Sequence, residues 1–227
     1  MPAVPTFLAR AALVPLLALA ACAGRPGSPP SVASPACPAL SSGERARLQA
    51  VVDELNLART RPQAYAQVVA QQYASLGRDR SYRRGDQRVL TAEGRPAVDE
   101  AIAWLRRAEP RPPLVLNTCL SHAAQDHAAD LGRSGGLGHQ GSDRSLPSDR
   151  AARRLGRPAA CGENISFGQE SPREHVAALI VDDDVPGRGH RTNIFDPGYR
   201  SIGVGLGPHP GYRTVNVNLM CLESLPG

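Results

Sequence analysis

Apolar side chains recur every three or four residues between Glu44 and Tyr73, the spacing that aligns them on one face of a helix. Pro62 falls within this stretch, and proline removes a backbone donor and clashes with the preceding turn. The pattern therefore predicts two helices, or one kinked helix. A further short helix is predicted around Trp104, and Asn117 is a suitable N-cap for the helix that follows it.

The second half of the chain alternates between loops, strands and helices. The stretch GRDRSYRRGDQ is interpreted as a charged loop, and residues 139–160 as a long loop with a short helix near Asp149 to Leu155. The alternation of Ile165 and Phe167 in CGENISFG predicts a strand. A capping box at Ser171 predicts the start of another helix.

Residues 201–221 predict a hairpin. SIGVGLG and TVNVNLMC read as strands joined by the turn PHPGY, with Val215, Val217 and Leu219 on one side. Helices that precede and interrupt an antiparallel sheet indicate an α+β fold, with the helices packed on the sheet. The repeated glycines of GVGLG lie in a predicted strand with no helix after them, so close packing explains them better than nucleotide binding.

The N-terminus predicts export. Residues 1–21 resemble a secretory signal peptide, and they end in Leu-Ala-Ala followed by Cys22, which resembles the bacterial lipobox in which the cysteine is lipidated. Residues 22–43 are rich in Pro, Gly, Ser and Ala and are interpreted as a tether. We expect an envelope lipoprotein anchored by its lipid, at the outer membrane or cell surface; the alternative is ordinary cleavage and secretion.

Four cysteines remain when Cys22 is set aside, and an even number in an exported chain predicts two disulfides. Three pairings are open among the four residues Cys37, Cys119, Cys161 and Cys221. No C-x-x-C spacing occurs, so nothing in the sequence supports a redox or zinc-ribbon role.

The chain of 227 residues carries a formal net charge of +5, and all 26 of its basic residues are arginine. These arginines are scattered and are not interleaved with aromatic residues, so nucleic acid is not expected as a partner. The sequences typical of zinc peptidases, serine hydrolases and phosphate-binding loops are also absent.

Several segments together resemble one known family. The series LSHAAQDHAADLG, GLGHQGSD, CGENISFG, the helix leading into VDDD, and GRGHRTNIFDPGYRSIGVG is similar to the CAP superfamily of cysteine-rich secretory proteins, antigen 5 and pathogenesis-related proteins. The resemblance runs from Glu44 to Glu223, and we assign residues 44–227 to this SCP-like domain. It implies an α-β-α sandwich with a central antiparallel sheet.

The resemblance also implies a surface cleft lined by two histidines and two acidic residues. Matched by motif, these are His139 in GLGHQG, His190 in GRGHR, Glu163 in CGENI and, at the end of the helix before the second histidine, Asp183. The family places glutamate at the fourth position, so this chain departs from the pattern, and the neighbouring Asp182 or Asp184 could take that place.

Two imidazoles and two carboxylates suit zinc or another divalent cation, with His139, Glu163 and His190 as the ligands. The structural alternative is that these groups only hydrogen-bond one another and brace the loops. From the resemblance we expect a non-enzymatic binding module for a lipid, sterol-like, peptide or cell-wall ligand. The alternative is a metal-dependent hydrolase or peptidase with Glu163 as general base. A third is an interaction protein whose cleft is vestigial.

The remaining polar candidates are given structural interpretations. His127 is expected to pack on a helix face beneath the cleft, and His175 to be solvated. The amide of Asn164 is expected to hold loop backbone, and Arg191 to pair with the aspartate run.

Overall fold

The computed structural model describes residues 37–222, which all lie in one compact unit. The predicted signal peptide, the lipobox Cys22 and most of the tether lie outside the described residues. Within residues 37–222, no helix is both long enough and apolar enough to span a bilayer.

Seven helices and six strands make up the described part of the chain. The helices are α1 (Ser42–Thr60), α2 (Pro62–Gln72), α3 (Arg95–Arg107), α4 (Thr118–Ser134), α5 (Pro147–Leu155), α6 (Pro172–Val181) and α7 (Gly189–Phe195). The strands are β1 (Ser81–Arg84), β2 (Gln87–Leu90), β3 (Val115–Leu116), β4 (Cys161–Phe167), β5 (Tyr199–His209) and β6 (Arg213–Leu222). A short 3-10 turn, Pro186–Arg188, precedes α7.

The helix boundaries follow the local chemistry of the sequence. Pro62 divides the first helical stretch into α1 and α2, as the pattern predicts. The side chain of Asn117 accepts a hydrogen bond from the Leu120 N–H at 3.0 Å, which confirms it as the N-cap of α4. Ser171 and Glu174 form the predicted capping box of α6.

The main sheet has four strands in the order β3-β5-β6-β4. Pairing is antiparallel between β4, β5 and β6, while the two-residue β3 runs parallel to β5 at the edge. The hairpin of β5 and β6 is therefore confirmed. The short parallel strand was not predicted, since two residues are too few to show a period.

Apolar residues cover both faces of the sheet, so the protein has three layers. Val215, Val217 and Leu219 of β6 pack with α4 and α5 in one core. The opposite face, with Met220 of β6 and Ile202 of β5, packs in a larger core with helices α1, α2, α3 and α6. The α-β-α arrangement of the α+β prediction is confirmed.

Two segments form elements that the sequence did not predict. The charged stretch GRDRSYRRGDQ was predicted as a loop, but it contains β1 and the first residue of β2, because Gly85 adopts a positive φ of 58° and closes a two-residue turn with Asp86. The segment around His190, for which no element was predicted, forms helix α7. Its seven residues are too few for a helical period, although Ile194 and Phe195 are buried at its end.

The disulfides join Cys37 to Cys119 and Cys161 to Cys221, with Cα separations of 5.3 Å and 4.1 Å. The second pair links residues that face each other across β4 and β6. The structure thus selects one of the three pairings that the sequence left open.

Candidate functional site

Glu163 lies in β4 with its carboxylate fully buried between α4 and α5. One oxygen accepts a hydrogen bond from His139 Nδ1 at 3.0 Å, and the other accepts one from Arg150 Nη2 at 2.7 Å. His127 Nε2 is 3.8 Å from the same carboxylate. Because a carboxylate only accepts, Nδ1 of His139 carries the hydrogen.

Arg150 is the organising residue of this cluster. Its guanidinium projects from α5 and also donates to the carbonyl oxygens of Ser145 at 2.8 Å and His139 at 3.1 Å. It is 3% exposed, so its ion pair with Glu163 is shielded from water. The sequence offered no signal for this role, since Arg150 is one of 26 basic residues with no distinguishing motif.

His190 lies in the first turn of α7 and pairs with Asp182. Its Nδ1 is 2.6 Å from Asp182 Oδ1, and its backbone N–H donates to Oδ2 at 2.8 Å. Asp182 reaches this position because it ends α6 in a left-handed conformation, with φ of 56°. The aspartate run therefore supplies a partner for the His190 imidazole. The same carboxylate also accepts from a backbone N–H in the first turn of α7, where N–H groups have no partner within the helix.

Asp183, the residue matched to the fourth cleft position, lies elsewhere. Its carboxylate accepts hydrogen bonds from the backbone N–H groups of Ala92 at 2.6 Å and Glu93 at 2.9 Å. It thereby ties the end of α6 to the loop before α3. Asp182, one of the two stated alternatives, contacts the histidine instead. The other alternative, Asp184, donates its backbone N–H to Glu93 at 2.7 Å.

The two histidine–acid pairs lie on opposite faces of the sheet. Glu163 and its neighbour Asn164 are consecutive in β4, so their side chains leave opposite faces. Glu163 holds His139 on the α4–α5 side, while Asn164 Nδ2 donates to the carbonyl of His190 at 2.9 Å on the α7 side. Asn164 thus holds backbone, as expected, but that backbone belongs to helix α7 and not to a loop.

This arrangement does not fit a divalent ion shared by His139, Glu163 and His190. Among the described residues, no group of three or more His, Cys, Asp or Glu is placed to hold a metal ion. In addition, both oxygens of Glu163 are engaged, one of them by the positive guanidinium of Arg150, which competes directly with a cation. His139, Glu163 and His190 therefore do not fit zinc or another divalent cation as shared ligands.

A second buried histidine was missed. His175 was expected to be solvated, which is wrong: it is 1% exposed, because its face of α6 packs on the sheet. Its Nδ1 contacts the Ser166 hydroxyl, and its Nε2 is 2.6 Å from the amide nitrogen of Asn218. Burial lowers the pKa of His175 to about 3, so the ring is neutral near pH 7.

The other two structural interpretations have opposite outcomes. His127 is 1% exposed and contacts the Gly138 carbonyl through Nε2 at 3.0 Å, which confirms that it packs beneath the cluster. Arg191 pairs with Glu100 at 2.7 Å and not with the aspartate run, so that prediction is wrong. Its guanidinium also lies 5.2 Å from the ring centre of Trp104.

Comparison with known proteins gives one family match. The sequence model described as CAP, the cysteine-rich secretory protein family, matches residues 100–222, which is more than half of the chain. The uncharacterized protein YkwD of Bacillus subtilis (strain 168) is 32% identical over 93 residues, covering 41% of this chain and 34% of that protein. The match thus spans about a third of that relative's length.

Two solved structures are also similar. An outer surface protein from Borrelia burgdorferi has a TM-score of 0.43 at 17% identity, covering 50% of this chain and 80% of that one. An extracellular protein containing a SCP domain from Bacillus anthracis str. Ames has a TM-score of 0.44 at 18% identity, covering 64% of this chain and 48% of that one.

Proposed function

Because the chain belongs to the cysteine-rich secretory protein (CAP) family, we propose that it is an exported, non-enzymatic binding protein. Its ligand is amphipathic, either lipid-like or an apolar peptide of the kind met at a membrane or cell wall. The binding edge is the loop that carries His139, between α4 and α5.

The state of Glu163 is the observation that carries the non-enzymatic part of the proposal. A general base must reach the proton that it removes. The side chain of Glu163 has no exposed surface, so a substrate cannot approach it, and its oxygens accept hydrogen bonds from Arg150 and His139. The carboxylate is thus suited to hold the loop in place, and the hydrolase alternative loses its base.

The exposed part of the same loop supports an amphipathic ligand. The imidazole of His139 is about half exposed, and the segment between α4 and α5 also carries Leu137 and Leu146, which are 52% and 51% exposed. A combination of exposed apolar side chains and a few polar groups is typical of surfaces that bind a partner. His139 would fix the polar end of the ligand, and the leucines would contact its apolar part.

Export and anchoring form the second part of the proposal. Two disulfides favour an oxidising compartment outside the cytosol. The segment before the domain supports a lipid anchor at Cys22, facing the outer membrane or the cell surface. Mass spectrometry of the N-terminal peptide from the native host should find a diacylglyceryl group on Cys22. An unmodified mature terminus at another residue would contradict the anchor.

Binding can be tested with two simple probes, monomeric dodecanoate and the tripeptide Leu-Leu-Leu. We expect at least one of them to shift the backbone amide signals of Leu137, His139 and Leu146 in a saturable way. The double variant Leu137→Ser/Leu146→Ser should bind about tenfold more weakly or worse, since apolar contact area is lost. Leu90→Ser is the matched control, because Leu90 is 69% exposed on β2, outside this loop.

Two results would contradict the proposed function. One is that neither probe shifts these amides, or that Leu90→Ser weakens binding as much as the double variant does. The other is a peptidase activity that co-purifies with the protein and disappears in Glu163→Gln while circular dichroism shows that variant to be folded, which would restore the hydrolase alternative.

A further inference from the structure

Six arginines form a basic end of the domain, where α3 ends and β5 begins. They are Arg59, Arg61, Arg106, Arg107, Arg111 and Arg200. The buried guanidinium of Arg59 lies at the centre, because it donates to the carbonyl oxygens of Pro112 at 2.9 Å and Tyr199 at 3.4 Å. Burial and the nearby guanidiniums of Arg200 and Arg111 lower the pKa of Arg59 to about 10. The chain segments that carry these arginines therefore meet.

The basic end carries the net charge of the described domain. Two acidic residues, Glu109 and Asp196, lie among the six arginines, which leaves an excess of four positive charges. Arg10, Arg25 and Glu223 lie outside residues 37–222, so that range contains 24 of the 26 basic residues and 20 of the 21 acidic residues. This excess is also four. The rest of the described domain is therefore neutral on balance.

Three of these arginines are free to pair with an anion. Arg61, Arg106 and Arg107 are exposed, and none of them forms an ion pair with another described residue. The dipole of α3 favours basic residues in its last turn, but this leaves their guanidinium groups open to a partner. Arg111 pairs with Glu109 at 3.3 Å, and that carboxylate is 80% exposed, so water screens the pair.

A cavity of about 330 Å³ opens in the basic end, between the last turn of α3 and the end of α7. Its walls include Trp104 and Phe195, whose ring centres are 4.7 Å apart, together with Arg107 and Arg111. Guanidinium groups bind phosphate through paired N–H donors, and indole rings favour the boundary between the polar and apolar parts of a membrane. The cavity therefore combines groups suited to a phosphate with groups suited to the apolar region beside it.

The predicted lipid anchor favours a membrane as the partner. Cys22 precedes Cys37 by fifteen residues, and an extended chain of that length spans up to about 50 Å. Helix α1 covers about 28 Å from its first residue to its end beside Arg61. The segment before the domain is therefore long enough for the basic end to reach the membrane that holds Cys22.

We propose that the basic end binds the surface of a membrane that contains anionic phospholipid, with Arg107 and Arg111 holding a phosphate group beside Trp104. A phospholipid surface uses the positive charge, the aromatic rings and the reach of the tether together. A soluble polyanion uses the charge alone. The contact requires neither the amphipathic edge nor a lipid on Cys22.

This contact would orient the ligand-binding edge away from the membrane. Strand β5 begins in the basic end at Tyr199 and ends at His209, and eleven residues of strand span about 35 Å. His209 Nε2 contacts the Gly136 carbonyl at 3.1 Å, next to Leu137 in the chain. The basic end and the amphipathic edge thus lie at opposite ends of one strand. Only this orientation rests on the proposed function.

Trp104 is the sole tryptophan of the chain, so its fluorescence reports this surface directly. The test uses the full-length mature protein with Cys22→Ser, which prevents lipidation. Its probes are vesicles of phosphatidylcholine alone and of equal parts phosphatidylcholine and phosphatidylglycerol. We expect the protein to sediment with the anionic vesicles only, with a blue shift of Trp104 emission, and to be released as sodium chloride is raised.

Two double variants locate the contact. Arg106→Gln/Arg107→Gln should weaken binding to the anionic vesicles about tenfold or more, because each basic residue near such a surface adds to the attraction. Arg78→Gln/Arg83→Gln is the matched control, since it removes the same charge from two exposed positions outside the basic end. All four positions are exposed, so both variants should fold, and circular dichroism checks this.

The proposal is overturned if the protein does not bind the anionic vesicles, binds neutral vesicles equally well, or loses as much affinity in the control variant as in Arg106→Gln/Arg107→Gln. Binding to soluble polyphosphate without binding to vesicles would also overturn it. Leu137→Ser/Leu146→Ser should bind the anionic vesicles normally, and loss of binding there would place the contact at the amphipathic edge instead. Failure of this proposal and failure of the proposed function are therefore distinguishable.

Discussion

Glu163 and Asn164 are neighbours in β4, yet they hold two different histidine-bearing segments. The Glu163 carboxylate contacts the imidazole of His139, whereas the Asn164 amide contacts the backbone of His190 and the side chain of Asn193. One short strand therefore fixes the loop before α5 and the start of α7 at the same time. The consecutive Glu and Asn have a structural reason, because both side chains are buried and each contacts groups on one face of the sheet.

Replacing Glu163 by Gln should destabilise the protein strongly. The change leaves the buried guanidinium of Arg150 without its counter-charge, and breaking a buried ion pair costs about 3–5 kcal/mol. Urea unfolding at neutral pH measures the loss. Glu170→Gln is the matched control, because its pair with Arg213 is largely exposed and should contribute less than about 1 kcal/mol. Equal losses in the two variants would show that burial of the Arg150 pair has no special importance.

Removing the disulfide between Cys37 and Cys119 should also reduce stability. The bond closes a separation of 82 residues, and constraining a loop of that length in the unfolded chain is worth about 2–5 kcal/mol. Cys37→Ser/Cys119→Ser should therefore unfold at a lower temperature than the wild type under oxidising conditions. Under reducing conditions, which break every disulfide in both proteins, the variant and the wild type should unfold at similar temperatures. Peptide mapping without reductant that links Cys37 to Cys161 or Cys221 would contradict the pairing.

His175 should make stability depend on pH. Its pKa is about 3 in the folded protein against 6.5 for an ordinary histidine, so the unfolded chain binds the extra proton first. The contribution of the neutral His175 ring to the free energy of unfolding is fully present above about pH 6.5. It is lost as the pH falls towards 3, by at most about 1.4 kcal/mol per pH unit. His175→Gln should show a flatter curve of unfolding free energy between these values.

The matched control for His175 is His122→Gln. His122 is partly exposed and contacts the Pro38 carbonyl, so its removal should leave the slope of the wild type unchanged. Carboxyl groups with a lowered pKa, such as Glu93, also lose stability in acid, but they act equally in all three proteins. Identical slopes for His175→Gln and the wild type would show that burial does not keep this imidazole neutral.

The glycines of GVGLG should tolerate alanine unequally. A Cβ on Gly205 would overlap the backbone carbonyl of Ala124, whereas one on Gly207 would lie 3.6 Å from Ala128, an ordinary contact. Gly205→Ala should therefore cost about 1–3 kcal/mol, because α4 must move away from β5. Gly207→Ala should cost much less, and thermal unfolding compares the two. Equal costs would contradict the close packing of α4 on this strand.

The amino-acid sequence by itself determined the local structure. The helical period from Glu44, the break at Pro62, the caps at Asn117 and Ser171 and the strand alternation of β6 are properties of neighbouring residues, and each was predicted correctly. They also indicated the α+β class, since the type and order of the elements restrict how their apolar faces can be covered. The motif match likewise singled out His139, Glu163 and His190.

Only the tertiary structure decided which distant groups meet. Periodicity reports which face of an element is apolar, but it carries no information on contacts between residues far apart in the chain. It could not choose Asp182 over Asp183 as the partner of His190, because that choice depends on the left-handed turn at the end of α6. It could not single out Arg150 or pair the cysteines, because burial and opposition across strands arise only when the layers pack together.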